Sequence, residues 1–392
     1  MDSSFIPPFC PNPACTQHHH DRSTDSARPF FRRFGSYLTA LHGRIPRFRC
    51  ISCGHTFSSS SFQLTYYTKK PCDLPQVFRS LSAGESLASI ARHLGCSPAI
   101  IQNRLERLGR ASLSLHARLS SGLALSEDLA ADGFENFERS QYHPSHLNIL
   151  VGTDSQFLYA MTHVTLRRKG RMTEKQKKTR ARLEQRFKPP PGALVRSFSL
   201  LLAQIPRIWD SSHHPLLVLR TDEHPAYPRA IGHVPSLRVA LHEGSFRHEC
   251  TASTLSRTVW NPLFPVNYFD RELRKDIAGF RRETTCVIRN VGSGLLRSAC
   301  YLAWHNYRKP HRVKGEFKGQ KGRCHAEVAG VDCERIEKSW LQFFVDQPFP
   351  ARDPVPDWAV LIWNRKYPTP LAAKADYVPA FARISQQQAS GF

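Results

Sequence analysis

The sequence predicts a multidomain α+β protein: a small cysteine-rich module, a helical segment and a larger α/β layer. Three observations point there. Residues 1–65 carry two tight cysteine pairs among His, Pro and aromatic residues, with little helical periodicity. A strong 3.6-residue apolar pattern follows over 73–115. From about 120 to 310, strand-like runs (LNILVGT, FLYAMTHVTL, LLVLRT) alternate with helical ones. Residues 311–392 are basic, then rich in Pro and aromatics, and read as an extension with no assignable compact fold.

The first module reads as a zinc-ribbon-like site. Cys10 and Cys15 form C-x4-C, and Cys50 and Cys53 form C-x2-C inside RFRCISCGHTF. Zinc needs four deprotonated soft ligands in a tetrahedron, and two turns presenting a pair each supply them in a module too small to hold itself together. Gly54 suits the turn after the second pair. His18, His19 and His20 are possible substitutes for one thiolate, and four unrelated buried cysteines are the plain alternative. The other seven cysteines (72, 96, 250, 286, 300, 324 and 333) read as small core residues.

The second segment reads as a helix-turn-helix. In SLASIARHLGCSPAIIQNRLERLG, Leu87, Ile90, Ala91 and Leu94 share one helix face. Gly95 follows as the left-handed turn residue, Ser97 as N-cap and Pro98 as first helical residue. Ile101, Leu105 and Leu108 form the buried face of the second helix. Ala99, Gln102, Asn103 and Arg104 are then placed to reach base edges, with Arg107 and Arg110 available for phosphates. Any αα-hairpin shares the apolar pattern; the caps and the basic second helix favour DNA.

The third segment carries the candidate chemistry. Asp132 lies in LAADGFENF, at the end of an apolar run. Asp222 follows LLVLRT, before the turn EHPAY. Asp270 lies in the Arg-rich helical stretch NYFDRELRKDIAGFRRETT, which also holds Glu272 and Glu283. Two strand-borne aspartates and one helical acid can hold two Mg²⁺ (or Mn²⁺) ions for phosphoryl transfer, because hard divalent cations take carboxylate oxygens and keep positions open for phosphate. The bland readings are an Asp-Gly turn at Asp132, a helix cap at Asp222 and an i, i+4 pair of Asp270 with Arg274; Asp154 is a rival strand-end acid. A basic arm, RRKGRMTEKQKKTRARLEQRFK, interrupts this segment at about 166–192 and ends at the PPPG breaker. Trp304, Tyr307 and Phe280 read as packing against the sheet, with base stacking as the alternative.

At these residues the chain resembles bacterial insertion-sequence transposases with an RNase-H-like DDE/DDD catalytic core. The resemblance rests on NPLFPVNYFDRELRKDIAGFRRETTCVIRN followed by WHNYRKPH, on DGFENFERSQYHP, and on C-x2-C followed by a helix-turn-helix; it covers about residues 10–310. It implies an RNase-H-like mixed sheet flanked by helices, with Asp132, Asp222 and a helical acid binding the metal pair. Asp270 fits the family's acid-then-Arg pattern through Arg271, with Glu283 and Glu272 as alternatives. Arg281 and Arg282 would meet donor-DNA phosphates. The family also implies terminal inverted repeats and target duplex as partners, two protomers acting together on DNA, and a bacterial, nucleoid-associated location.

Composition agrees with a polyanionic partner: 55 Lys plus Arg against 32 Asp plus Glu leave a net charge of +23. No apolar run approaches the ~20 residues a membrane span needs, and the N-terminus lacks a signal-peptide pattern, so a soluble intracellular protein is expected. An odd cysteine count, 11, disfavours a disulfide framework. No Walker A, Rossmann, H-E-x-x-H or G-x-S-x-G pattern is present. Two rivals to a transposase stand: a zinc-ribbon/helix-turn-helix transcription regulator with an inactive third domain, and a stand-alone Mg²⁺-dependent nuclease.

Overall fold

The computed structural model describes residues 5–20, 29–138, 140–281, 288, 290–312, 322–370 and 383. It is a mixed α+β structure with two sheets. In the N-terminal module a short helix, α1 (Thr16–His19), precedes an antiparallel sheet of β1 (Phe31–Thr39), β2 (Gly43–Cys50) and β3 (Thr56–Ser58), in that order. Its small core is aromatic, with Phe48, Phe57 and Phe62 buried beside Phe5 and Phe9.

Three helices follow: α2 (Leu74–Ser82), α3 (Leu87–His93) and α4 (Pro98–Ser120). Asp73 caps α2, accepting from the Gln76 amide at 2.9 Å, and Ser86 caps α3, accepting from Ser89 at 3.1 Å. Gly95 adopts φ +60° between α3 and α4, where a side chain would be strained. Ile90, Ala91, Ile101, Leu105 and Leu108 are all buried. Unlike the short second helix that the caps suggest, α4 runs on for 23 residues.

The second sheet is built from β4 (Leu129–Phe137), β5 (Pro144–Gly152), β6 (Leu158–Thr165), β7 (Leu217–Asp222) and β8 (Phe246–Thr251). Their order is β6-β5-β4-β7-β8. The β4–β5 and β5–β6 pairs are antiparallel, whereas β4–β7 and β7–β8 are parallel. Between β6 and β7 come α5 (Glu174–Glu184), α6 (Ala193–Leu202) and α7 (Ile205–Ile208); between β7 and β8 come α8 (Ala226–Gly232) and α9 (Pro235–Glu243). The basic arm holds α5, which buries no residue, whereas α6 packs on the sheet through hydrogen bonds from Asn148 and Thr162 to Ser197 (2.8 and 3.0 Å).

After β8, α10 (Phe264–Asp276) and α11 (Val291–Tyr307) cover the opposite face. Asn306 on α11 clasps the backbone of Leu158, donating to its carbonyl and accepting from its amide, both at 3.0 Å. Tyr307 and Phe280 are buried here and Trp304 is half-buried, so these rings pack. Where α4 crosses α11, a Cβ on Gly109 would lie 2.7 Å from that of Leu296, so this crossing needs glycine.

The C-terminal region departs from expectation. Although residues 311–392 read as an extension, 324–363 form α12 (His325–Val328), α13 (Cys333–Phe343) and α14 (Asp357–Trp363) and join the common core. Trp358 and Trp363 are fully buried. The N-terminal module docks on the same stretch: the Leu64 amide donates to Val345 (2.7 Å), Gln347 to Phe62 (2.8 Å), and Phe9 meets Phe349 edge-on at 4.8 Å. Sequence periodicity missed this because each helix is short and its partners, α11 and the distant α4 and α6 among them, lie elsewhere in the chain.

Candidate functional site

The four predicted cysteines converge. Cys10 and Cys15 flank the loop before α1, while Cys50 ends β2 and Cys53 lies in the turn to β3. Cys10 Sγ lies 3.7 Å from Cys53 Sγ, and Cys15 Sγ lies 3.8 Å from Cys50 Sγ. A tetrahedron with Zn–S bonds of about 2.3 Å has edges of about 3.8 Å, so the thiols already stand at ligand spacing. All four lie within 4.8 Å of one another, and can hold a structural metal such as zinc. Burial pushes the Cys10 and Cys15 thiols up, a tendency that a bound cation reverses. None of the three histidines is needed: His18 turns its Nδ1 to the Cys10 carbonyl at 2.7 Å, and His19 reaches the Pro13 carbonyl. Of the remaining cysteines, Cys300 and Cys324 are buried as expected, Cys72 and Cys96 are half-buried, and Cys250 and Cys333 are exposed; Cys286 lies outside the described residues.

A second site forms on the large sheet. Asp132 does not terminate a strand or make an Asp-Gly turn; it sits within β4, opposite Ile149 of β5. The parallel β4–β7 register pairs Leu129 with Leu219 and Ala130 with Arg220. The ladder ends there, two residues short of both Asp132 and Asp222, and the Asp222 charge still acts on the Asp132 carboxyl. Strand alternation puts Phe134 on the same face as Asp132, and Phe134 meets Phe280 at 5.5 Å and the Arg274 guanidinium at 4.4 Å. Asp132 therefore faces α10, which carries Asp270.

Tyr227 from α8 bonds Asp132 and lies within electrostatic reach of the other two acids. Only 2% exposed, it donates its hydroxyl to Asp132 Oδ1 at 3.3 Å. Burial, then the charges of Asp132 and Asp222, and more weakly that of Asp270, hold its phenol well above the usual range. Asp132 itself is raised by burial and by the Asp222 charge, against the opposing pull of the Gly133 amide, the Tyr227 hydroxyl and Arg257. Asp222 Oδ1 accepts from the His224 amide at 2.9 Å, which sets the turn into α8. His248 on β8 closes the flank, its Nε2 2.8 Å from Thr221 Oγ1.

The alternatives for the third acid separate here. Glu272 is buried and engaged: burial pushes its carboxyl up, but hydrogen bonds from Lys275 (2.7 Å) and Lys309 (2.6 Å) hold it below the usual range. That leaves it as an internal ion pair. Glu283 lies outside the described residues, and so does Arg282. Arg281 donates to the carbonyls of Arg274 and Lys275 at the end of α10. Asp154 is exposed in the β5–β6 turn, at the end of the sheet away from Asp222. Sequence reasoning missed Tyr227, His248 and Arg257; only the EHPAY turn, which sets Tyr227 five residues after Asp222, carried a local hint.

The donor set fits a hard divalent cation, being all oxygen, with two carboxylates whose mutual repulsion such a cation would offset. Among the described residues the cysteines are the only group of three or more potential ligands lying within 4.8 Å; the three aspartates are spread more widely.

The DNA-contact residues read from the helix-turn-helix fare differently. Ala99 is exposed at the start of α4. Gln102 donates to Ser293 of α11 at 3.0 Å, and Asn103 accepts from Arg104 and Arg107. Arg104, Arg107 and Arg110 are 3%, 8% and 6% exposed. They donate to the carbonyls of Lys70, Leu64 and Trp363, all within 3.0 Å. The base-edge contact expected of Arg104 and the phosphate contacts expected of Arg107 and Arg110 are thus internal ties. The face they occupy is covered by the 64–70 segment and by the C-terminal helices.

Compared with known proteins, the chain matches no family model and no curated protein sequence.

Proposed function

We propose that this protein is a DNA transposase of insertion-sequence type, with an RNase-H-like core that cleaves and joins DNA strands by metal-dependent phosphoryl transfer. The observation that carries the reading is Asp132 in β4 beside the parallel strand β7 that ends in Asp222, with Tyr227 donating to Asp132 and feeling the charges of Asp222 and, more weakly, Asp270. Support for the RNase-H-like assignment comes from a mixed five-stranded sheet whose central first strand bears Asp132 and whose fourth strand ends in Asp222. Engagement of Glu272 by two lysines favours Asp270 as the third acid.

On this reading Asp132, Asp222 and Asp270 hold two Mg²⁺ or Mn²⁺ ions. When bound, such ions polarise the scissile phosphate and activate the attacking oxygen. Tyr227 fixes the Asp132 carboxyl, leaving its second oxygen for the ion. Arg257, whose charge reaches Asp132, is placed to offset phosphate charge on the open side. A zinc ion held by Cys10, Cys15, Cys50 and Cys53 would stiffen the N-terminal module. End recognition then falls to the exposed surface where α3 meets α4, around Arg92, His93 and Ala99. Two protomers would act together at paired ends.

The test uses duplexes taken from the DNA flanking the coding region, where this reading requires inverted repeats. Mg²⁺-dependent nicking at those ends, followed by strand joining, is expected, and Asp132→Asn or Asp222→Asn should abolish both without unfolding the protein. Nicking that survives either substitution refutes the site. Cleavage without joining would identify a nuclease, and binding without cleavage a regulator.

A further inference from the structure

The basic arm has an organisation beyond its composition. Residues 167–188 hold eleven Lys and Arg against two Glu. A helix that buries nothing gains no packing energy, yet α5 is held in place. Thr173 and Gln176 form a capping box, and Arg167 closes on Glu184 at 2.7 Å, with Arg180 also beside that carboxylate. Arg180 donates to the Arg168 carbonyl at 3.0 Å, and Arg168 lies over the Tyr142 ring at 5.1 Å, in the turn between β4 and β5. The helix is thus tied down along one side.

The opposite side is a charge stripe. At about 100° per residue, Lys175, Lys178 and Arg182 fall within an arc of about 60° and extend over about 10 Å, with Arg186 in the turn that follows, whereas Arg180 and Glu184 lie roughly opposite. All four cations of the stripe are exposed. Among the described residues no carboxylate is ion-paired with any of them. Topology sets where the arm begins. Strands β4, β6, β7 and β8 all point the same way, so the arm leaves β6 at the sheet edge where Asp222 ends β7. Three strand spacings separate β6 from β7, about 14 Å, a length over which duplex DNA presents about eight phosphates.

We propose that Lys175, Lys178, Arg182 and Arg186 form a backbone-binding rail for duplex DNA leading along the sheet edge to the three aspartates. The rail deepens the transposase reading and rests on it for its partner. It reads charge and not sequence, so its signature is counterion release. The experiment measures binding of the full-length protein to a short random-sequence duplex by fluorescence anisotropy between about 50 and 200 mM salt. Replacing all four residues by Gln should flatten the plot of log K against log salt by about 0.9 for each phosphate no longer neutralised, up to about 3.6. Thermal unfolding should not change, since no stripe residue is buried. An unchanged slope overturns the rail, and so does weaker binding to anionic lipid vesicles with no change on DNA. A rail variant with a flattened slope alongside a wild type that never nicks would sink the catalytic reading and leave the rail standing.

Discussion

Removing one thiolate from the cysteine cluster is the sharpest test of the N-terminal module. Two edges of the cluster, 3.7 and 3.8 Å, match the tetrahedral edge that zinc requires. Binding at such a site contributes about 10–16 kcal/mol in small zinc modules, comparable to the whole stability of a typical domain, about 5–15 kcal/mol. The few phenylalanines of this module cannot replace that. Cys50→Ser leaves three ligands, two beside α1 and one in the turn to β3, and should release the metal. The module should then lose its hold on the C-terminal region, where Phe9 packs on Phe349 and Arg352 donates to the His18 carbonyl at 2.7 Å. The large sheet and α4 have their own core and should persist. The expected outcome is about one zinc per wild-type chain and none in the variant, with limited proteolysis cutting within 5–64 first. A wild type that is metal-free and equally resistant to protease with or without chelator would refute the reasoning.

Other outcomes follow from single residues. Gly84→Ala places a Cβ 1.7 Å from the Asp276 carbonyl at φ +78°. The left-handed backbone alone costs about 1–2 kcal/mol, so a destabilisation of at least about 2 kcal/mol is expected in urea unfolding; a neutral variant would mean the Gly84 turn does not approach the end of α10 so closely. Glu106→Gln strips the shared partner from Arg110 and Arg365, at 3.1 and 2.5 Å in the interior. Breaking such a buried network typically costs about 3–5 kcal/mol, and a change below about 1 kcal/mol would show the pair to be solvated. Burial lowers His116 to about 4, and His163 and His325 to about 3, from 6.5. The unfolded chain therefore binds these protons first: the stabilisation is complete above about pH 6.5 and is lost as pH falls toward 4 and below. His116→Gln should flatten the fall in urea midpoint between about pH 7 and pH 4, and an identical slope in variant and wild type would count against a neutral buried His116.

Legibility followed the range of the interaction. The cysteine pairs could be read because each pair is a local turn, and ligand spacing within a turn needs no knowledge of the rest of the chain. The turn of the helical segment was equally local: Gly95 takes the left-handed backbone read for it, and Ser97 stands at the N-cap ahead of Pro98, although its side chain makes no capping hydrogen bond. The runs that became β5, β6 and β7 announced themselves by continuous apolar content, and Asp222 stands where the last of them ends.

Partner-dependent features were not legible. A 3.6-residue period says which residues of α4 share a face, but not that α11, α13 and α14 would cover the other faces and turn Arg104, Arg107 and Arg110 inward. Nor does it show which side of α10 meets the sheet. Lys309, 37 positions beyond Glu272, engages that carboxylate, whereas the Asp270 charge acts on Tyr227. Local backbone chemistry was written in neighbouring residues, whereas burial, ion pairing and the meeting of Asp132 with Asp222 depended on packing between segments far apart in the chain, where the free energy of each interaction belongs to both partners at once.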